Sequence, residues 1–250
     1  TIKKEFPDFC SISHFGIGIL TCFMIANDID IVTNSEEQND VNSINLRKVN
    51  GSYLLRRINK SEVDKRIKNH GTMVKLYVRN DVDMSTLEDD LCKWIVLPEI
   101  PVFLTANEQH ETRIGYDSLK DVLTKYLNDT GRNVDGEKYD VYEENQGNVS
   151  VAYAVRHLRY LSDWCLMEID SRRSNQKNQL PIGTCVEGIR VEFTTPGYKD
   201  SSILAIANIK NSKYQTNVAR SAIELDANSE VLSDIYDVYR KYIQEQMNTL

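Results

Sequence analysis

Residues Ile17 to Ala26 form the most apolar run in the chain, ten residues bracketed in a way that narrows what they can become. Before it stands Phe15-Gly16-Ile17-Gly18, with two glycines one residue apart. After it comes Asn27-Asp28 at once, then DIDIVT, in which Ile29 and Ile31 alternate with acidic neighbours. The run has about half of the ~20 residues needed to cross a bilayer, and Gly18 and Thr21 interrupt it. It therefore predicts a buried helix of a soluble protein, and the alternation after it a half-buried strand from Asp28 to Thr33. A helix opened by glycines offers free N–H groups and a partial positive charge on which phosphates can rest. The plainer use of Gly16 and Gly18 is close packing of the helix on a sheet. No strand runs directly into the glycines and no Walker lysine follows, so neither common nucleotide-binding motif is present.

The pattern downstream mixes both secondary-structure types. Asn34 to Ser43 reads as a polar, acidic loop. Leu46 to Ile58 reads as two strands joined at Asn50-Gly51, a type I′ turn signal. Gly71-Thr72 leads into Val74, Leu76 and Val78, which alternate with Lys75, Tyr77 and Arg79 as a one-sided strand. The first eighty residues thus read as one helix and four antiparallel strands. Composition changes near Asp81–Ser85, where we place a domain boundary. Ser85-Thr86-Leu87-Glu88 has the form of a capping box opening a helix with Leu87, Leu91, Trp94 and Ile95 on one face, stopped by Pro98 and Pro101. A short strand at Val102–Leu104 follows, then a second amphipathic helix carrying Leu119, Val122, Leu123, Tyr126 and Leu127. Strands are expected near Tyr139–Tyr142, Val149–Val155, Cys185–Phe193 and Ile203–Ile209, and a last helix over Val231–Gln244. There is no internal repeat.

Charge and cysteine usage restrict the chemistry. Thirty basic groups against 37 acidic ones leave a net charge of −7, which argues against a broad surface for nucleic-acid phosphates. Five cysteines lie far apart without a C-x-x-C pair, the usage of reduced thiols in a cytosolic protein rather than of disulfides or zinc. The four histidines (His14, His70, His110 and His157) show no metal-ligand spacing, so no metal site is expected among them. Arg156, Arg159, Arg172 and Arg173 with Tyr153, Tyr160 and Trp164 have the composition of an RNA-binding patch. The plainer reading, a domain surface or client-facing face, is the one we take.

The string HFGIGILTCFMIANDIDIVT resembles the phosphate-binding box of the heat shock protein 90 family, a branch of the GHKL ATPases that also include gyrase, MutL and histidine kinases. The match runs through Phe15-Gly16-Ile17-Gly18, Thr21, Phe23, Ile25-Ala26 and the strand Ile29–Thr33. Gly71-Thr72 is similar to the family's G-T box, whose threonine closes the nucleotide pocket from the sheet side. Tyr214 to Glu224 resembles the catalytic loop of the family's middle domain, with Asn217, Val218, Arg220 and Ile223 matching. Glu224 and Ser221 depart from the pattern, where the chaperones carry glutamine and glutamate.

The resemblance implies an α+β chain: part of a GHKL (Bergerat) ATPase sandwich over residues 1–82, then an α/β middle domain of the ribosomal-protein-like type over 83–250. It implies ATP and Mg2+ as cofactors, with the ATP phosphates held by Phe15, Gly16, Ile17 and Gly18, bordered by Thr72, and a lid near Ser11–His14. Arg220 becomes the catalytic cation at the γ-phosphate. The family's magnesium-binding asparagine, catalytic glutamate and adenine-reading aspartate lie upstream of the glycine box, and residues 1–12 contain none of these motifs. The chain is therefore expected to begin inside its ATPase domain and to be inactive alone, its parent being the ATPase. The resemblance further implies a cytoplasmic homodimer acting on client or partner proteins, with no membrane and no nucleic acid. Two alternatives stand beside this reading: a non-catalytic interaction module of the same fold, and a MutL- or topoisomerase-like DNA machine.

Overall fold

The computed structural model describes residues 18–37, 40–48, 53–106, 111–129, 138–159, 163–168, 183–192, 203–210 and 225–249. These fall into two compact units, one ending at Ser85 and the other taken up from Thr86. The loop at Ser11–His14, the residues Phe15, Gly16 and Ile17, and the segment Tyr214–Glu224 with Arg220 lie outside the described residues.

In the first unit the apolar run does not become one long buried helix. Among its described residues α1 (Gly18–Thr21) is α-helical, followed by a 3-10 turn at Cys22–Met24. Met24 is 72% exposed. The chain then enters β1 (Ala26–Asn34), two residues ahead of the expected strand. Isoleucine and phenylalanine lose side-chain freedom in a helix, and β1 competes for the end of the run. The supposed loop 34–43 is shortened as well, because β2 (Val41–Arg47) starts inside it. With β3 (Tyr53–Ile58) and β4 (Gly71–Val78) these strands form an antiparallel sheet of order β3-β2-β1-β4. Its register pairs Leu46 with Tyr53. The expected type I′ turn at Asn50-Gly51 lies outside the described residues.

The second unit is built on a larger sheet. Helix α2 (Leu87–Trp94) and the β5–β6 hairpin (Val102–Thr105, Glu111–Ile114) precede helix α3 (Leu119–Asp129). The capping box at Ser85 does not form. Thr86 is the N-cap, its hydroxyl donates to Asp90, and the Ser85 N–H is taken by Asp83. The sheet contains β7 (Tyr139–Gln146), β8 (Val149–Leu158), β9 (Asp163–Leu166), β10 (Gly183–Val186), β11 (Ile189–Glu192) and β12 (Ala205–Ile209). Strand order is β11-β10-β12-β8-β7, with β9 also on β8, and β10 runs parallel to β12. The expected single strand over 185–193 is in fact the β10–β11 hairpin. Glu187 (φ 49°) and Gly188 (φ 76°) make its turn, both in the left-handed region that such turns require.

Strand β8 reads VSVAYAV because both of its faces are covered. Val149, Val151, Tyr153 and Val155 pack under Val231, Ile235, Val238, Tyr239 and Tyr242 of helix α4 (Leu225–Thr249). Ala152 and Ala154 pack on the opposite side, under Leu119, Val122, Leu123, Tyr126 and Leu127 of α3. The five α3 residues expected on one face are all buried. Gly188 pins the near side of this unit: its carbonyl accepts from the N–H groups of Val96 and Leu97, and its N–H donates to Asn208.

Candidate functional site

Of the expected nucleotide-contacting residues, the structure describes Gly18 and Thr72. Gly18 is the first residue of α1 and is exposed. Among the described residues, nothing lies within 4 Å of a Cβ built there, so none of them packs on Gly18 closely enough to require a glycine. Thr21, one turn on, donates its hydroxyl to the Gly18 carbonyl at 2.7 Å.

Thr72 begins β4, next to the central strand β1, and its hydroxyl lies 3.1 Å from that of Thr33. From Ala26, where β1 starts, to Thr33 is about 23 Å at about 3.3 Å per residue. The threonine pair thus stands at the far end of β1 from the α1 junction. Gly18 and Thr72 are not in contact.

Strand alternation gives the sheet two unlike faces. The register sets Ile31 opposite both Ile44 and Val74, and Ile44 opposite Leu55. Ile29, Leu46, Tyr53 and Leu76 form the neighbouring row, and Thr33 and Thr72 lie on the same side. Much of this apolar face meets solvent: Tyr53 is 72%, Leu55 60% and Val74 50% exposed.

The opposite face is polar and centred on Asp30. It accepts hydrogen bonds from Asn45 Nδ2 at 2.7 Å and Tyr77 Oη at 2.9 Å, and pairs with Arg47 at 2.8 Å. Desolvation pushes the Asp30 carboxyl up, but those three donors together outweigh it and hold the group below the usual carboxylate range. At the end of β1 Asn34 is buried and ties down the approach to Thr72. Its Nδ2 donates to the carbonyls of Ile67 at 2.9 Å, Lys68 at 2.8 Å and Asn69 at 3.3 Å. Sequence reasoning passed over Asn34 as the first residue of a polar loop; its signal, an amide directly after a strand of β-branched residues, is weak.

Among the described residues no group of three or more His, Cys, Asp or Glu stands together as a metal site. No described helix is long and apolar enough to cross a membrane.

The comparisons bear on this fold. No protein-family model matches the sequence, and no curated protein matches it. Solved structures do. The ATP-binding domain of topoisomerase IV from Francisella tularensis, determined with a small-molecule inhibitor, is similar at a TM-score of 0.52 and 11% identity, over 95% of this chain and 69% of that one. The 43K ATPase domain of gyrase B from Thermus thermophilus, bound to an aminocoumarin, is similar at 0.48 and 11%, over 94% and 68%. The second likeness, below 0.5, adds nothing to the first. The chain has an α+β fold similar to that of the topoisomerase IV ATP-binding domain, and at 11% identity the likeness is one of fold alone.

Proposed function

We propose that this chain belongs to a GHKL-type ATPase, an ATP-dependent conformational machine resembling heat shock protein 90, with its nucleotide on the first unit. The observation that carries the reading is the path of the chain there. A glycine-opened helical turn leads into the central strand of a sheet whose neighbouring strand begins Gly71-Thr72, within a chain whose fold is similar to that of an ATP-binding domain. The backbone around Phe15, Gly16, Ile17 and Gly18 would hold the phosphates, and the space that the described residues leave at Gly18 fits that use. Thr72 would border the nucleotide from the apolar face of the sheet, and Arg220 would supply a cation to the γ-phosphate. Described residues offer no cluster to hold Mg2+, so no magnesium ligand is assigned. In this reading the full-length protein is a cytoplasmic homodimer with a ribosomal-protein-like middle domain, and nucleotide-driven movement is passed to a partner protein.

The second reading, a topoisomerase-like DNA machine, is favoured by the identity of the similar ATP-binding domain. The two part at the intact parent protein. Turnover stimulated by duplex DNA, falling steeply with salt, belongs to the second; turnover indifferent to DNA belongs to the first.

The test of nucleotide binding is calorimetric titration of ATP with magnesium into this chain and into the Gly16→Val variant. Micromolar binding that the variant loses supports the phosphate assignment, and equal binding by both overturns it. In the parent, Arg220→Ala should slow hydrolysis; an unchanged rate would mean that the catalytic-loop assignment is wrong.

A further inference from the structure

We propose that a pocket at the C-terminal end of β12 binds a free α-amino acid, its carboxylate on Asn208 and Lys210 and its ammonium on Glu99. The pocket has a volume of about 310 Å³, which is near the lower end of the range for small-molecule sites.

Alternation along β12 prepares the donor side. Leu204 and Ile206 go under α3, while Ala205, Ala207 and Ile209 go under α4. Asn208 is the next residue of the α3 row and Lys210 the one after it. The Lys210 N–H donates to the Asn148 carbonyl, so the pairing with β8 continues that far. Amide and ammonium therefore start from one face of the chain, their Cα atoms about 6–7 Å apart. Asn208 is only 2% exposed. Its Oδ1 accepts from the Gly188 N–H at 2.9 Å. That bond fixes which end of the amide is which, because an N–H group needs the oxygen. The other end, Nδ2, meets no acceptor among the described residues, and Asn208 lines the pocket. A donor so deeply placed calls for an acceptor oxygen from outside the fold.

Both signs of charge stand around this donor. Lys210 and Glu99 are exposed lining residues, and neither has an ion pair among the described residues. Arg113 and Asp117 also line the pocket but are paired with each other, and Glu187 has a partner of its own. A phosphate would meet the carboxylates of Glu99, Asp117 and Glu187 as like charges. A simple amine would leave the Asn208 donor unmet. A zwitterion answers both demands, and an α-amino acid carries its two charges on one carbon. Leu97 and Pro98 with the Tyr116 ring supply a wall for an apolar side chain. Leu97 and Tyr116 are packed against the α3 core, so the wall stands before a ligand arrives and little ordering entropy is lost on binding. The site shares no residue with the proposed ATP pocket and stands whether or not the first unit binds ATP.

The test is a thermal-shift screen of this chain with each standard amino acid, followed by calorimetric titration of those that stabilise it. Saturable heat is expected from an amino acid with an apolar side chain, leucine being the reference. Isocaproate, which is leucine without its amino group, and isoamylamine, which is leucine without its carboxylate, should each bind at least about tenfold more weakly. Lys210→Gln and Glu99→Gln change exposed side chains, and circular dichroism checks that the fold is kept. Each should weaken the amino acid about tenfold. Asn208→Asp keeps an acceptor for Gly188 but sets a carboxylate against that of the ligand, and should abolish binding; if this variant does not fold, the two exposed substitutions decide. No saturable heat from any standard amino acid up to about 10 mM overturns the proposal. So does unchanged affinity in both exposed variants, or binding of isocaproate as tight as that of leucine.

Discussion

Replacing Asn34 tests whether the approach to Thr72 is held by a single side chain. The amide donates to three successive carbonyls, two of them within 3 Å. At about 1 kcal/mol net per bond, Asn34→Ala forfeits about 2–3 kcal/mol. Two terms reduce this. Asn34 Oδ1 is buried without a hydrogen bond, and its removal returns about 1 kcal/mol. Lys68 and Asn69 are exposed, so their carbonyls regain water. A net loss of about 1–2 kcal/mol follows. Asn34→Asp has nearly the same shape and the opposite effect: an ionised carboxylate donates nothing and faces three carbonyls, so at pH 7 it should cost more than alanine, about 3 kcal/mol or more. The sign of the pH dependence is fixed. Burial among acceptors raises the folded-state pKa of the introduced carboxyl above its unfolded value near 4. Its penalty is therefore absent below about pH 4 and develops as pH rises through the folded pKa. Hydrogen exchange of the amides of residues 67–78, read by mass spectrometry at pH 4 and pH 7 with intrinsic rates corrected, follows the segment directly. An Asn34→Asp variant no less protected than Asn34→Ala at pH 7, or one whose protection ignores pH, would refute the clamp.

Three further outcomes are expected. Gly188→Ala places a Cβ 1.9 Å from the Leu97 carbonyl oxygen at φ 76°, and should destabilise the second unit by more than about 3 kcal/mol in denaturant unfolding; Gly18→Ala, with no described residue within 4 Å of its Cβ, should leave stability within about 1 kcal/mol while weakening ATP binding in the calorimeter. Asp30→Asn should lower the melting temperature of the first unit at pH 7. Because the Asp30 pKa is depressed in the fold, the stability it contributes is present above the unfolded value near 4 and lost as pH falls through the folded value, so the two melting curves should converge in acid. Cys185 is buried, with its thiol pushed up to about 12 by desolvation, and should react with a maleimide only at the rate of unfolding, while half-buried Cys165 reacts in the native state.

Legibility in the sequence followed how local the cause was. Helix α3 was readable to its buried residues because an amphipathic stripe states its own period. Strands β1 and β4 were readable because alternation does the same. The β10–β11 hairpin was not, since Glu187-Gly188 is a poor turn signal and depends on the close approach of Leu97 from ninety residues away. The apolar run before β1 misled, because composition sets a propensity while the strand beside it decides where a helix stops. At the candidate site, Gly18 and Thr72 were singled out by a resemblance in residue order, whereas the basic-aromatic composition said nothing of which residues share a face. Which of Arg156, Arg159, Tyr153 and Trp164 share a face is a question of strand parity, and β9 had left no mark in the sequence.

The anchoring of α2 has a consequence for synthesis. Its Lys93 carbonyl accepts from Arg190 at 2.8 Å, and the residues just after it hang on the Gly188 carbonyl. On a ribosome, then, the helix is made early and finds its seat late. Some hundred residues must leave the exit tunnel before Arg190 arrives, and at about 5–20 residues per second this is a wait of about 5–20 s. During that interval the half-apolar α2, with Trp94 on it, is an unseated amphipathic segment in the nascent chain, and this is the stretch in which a holding chaperone has something to grip.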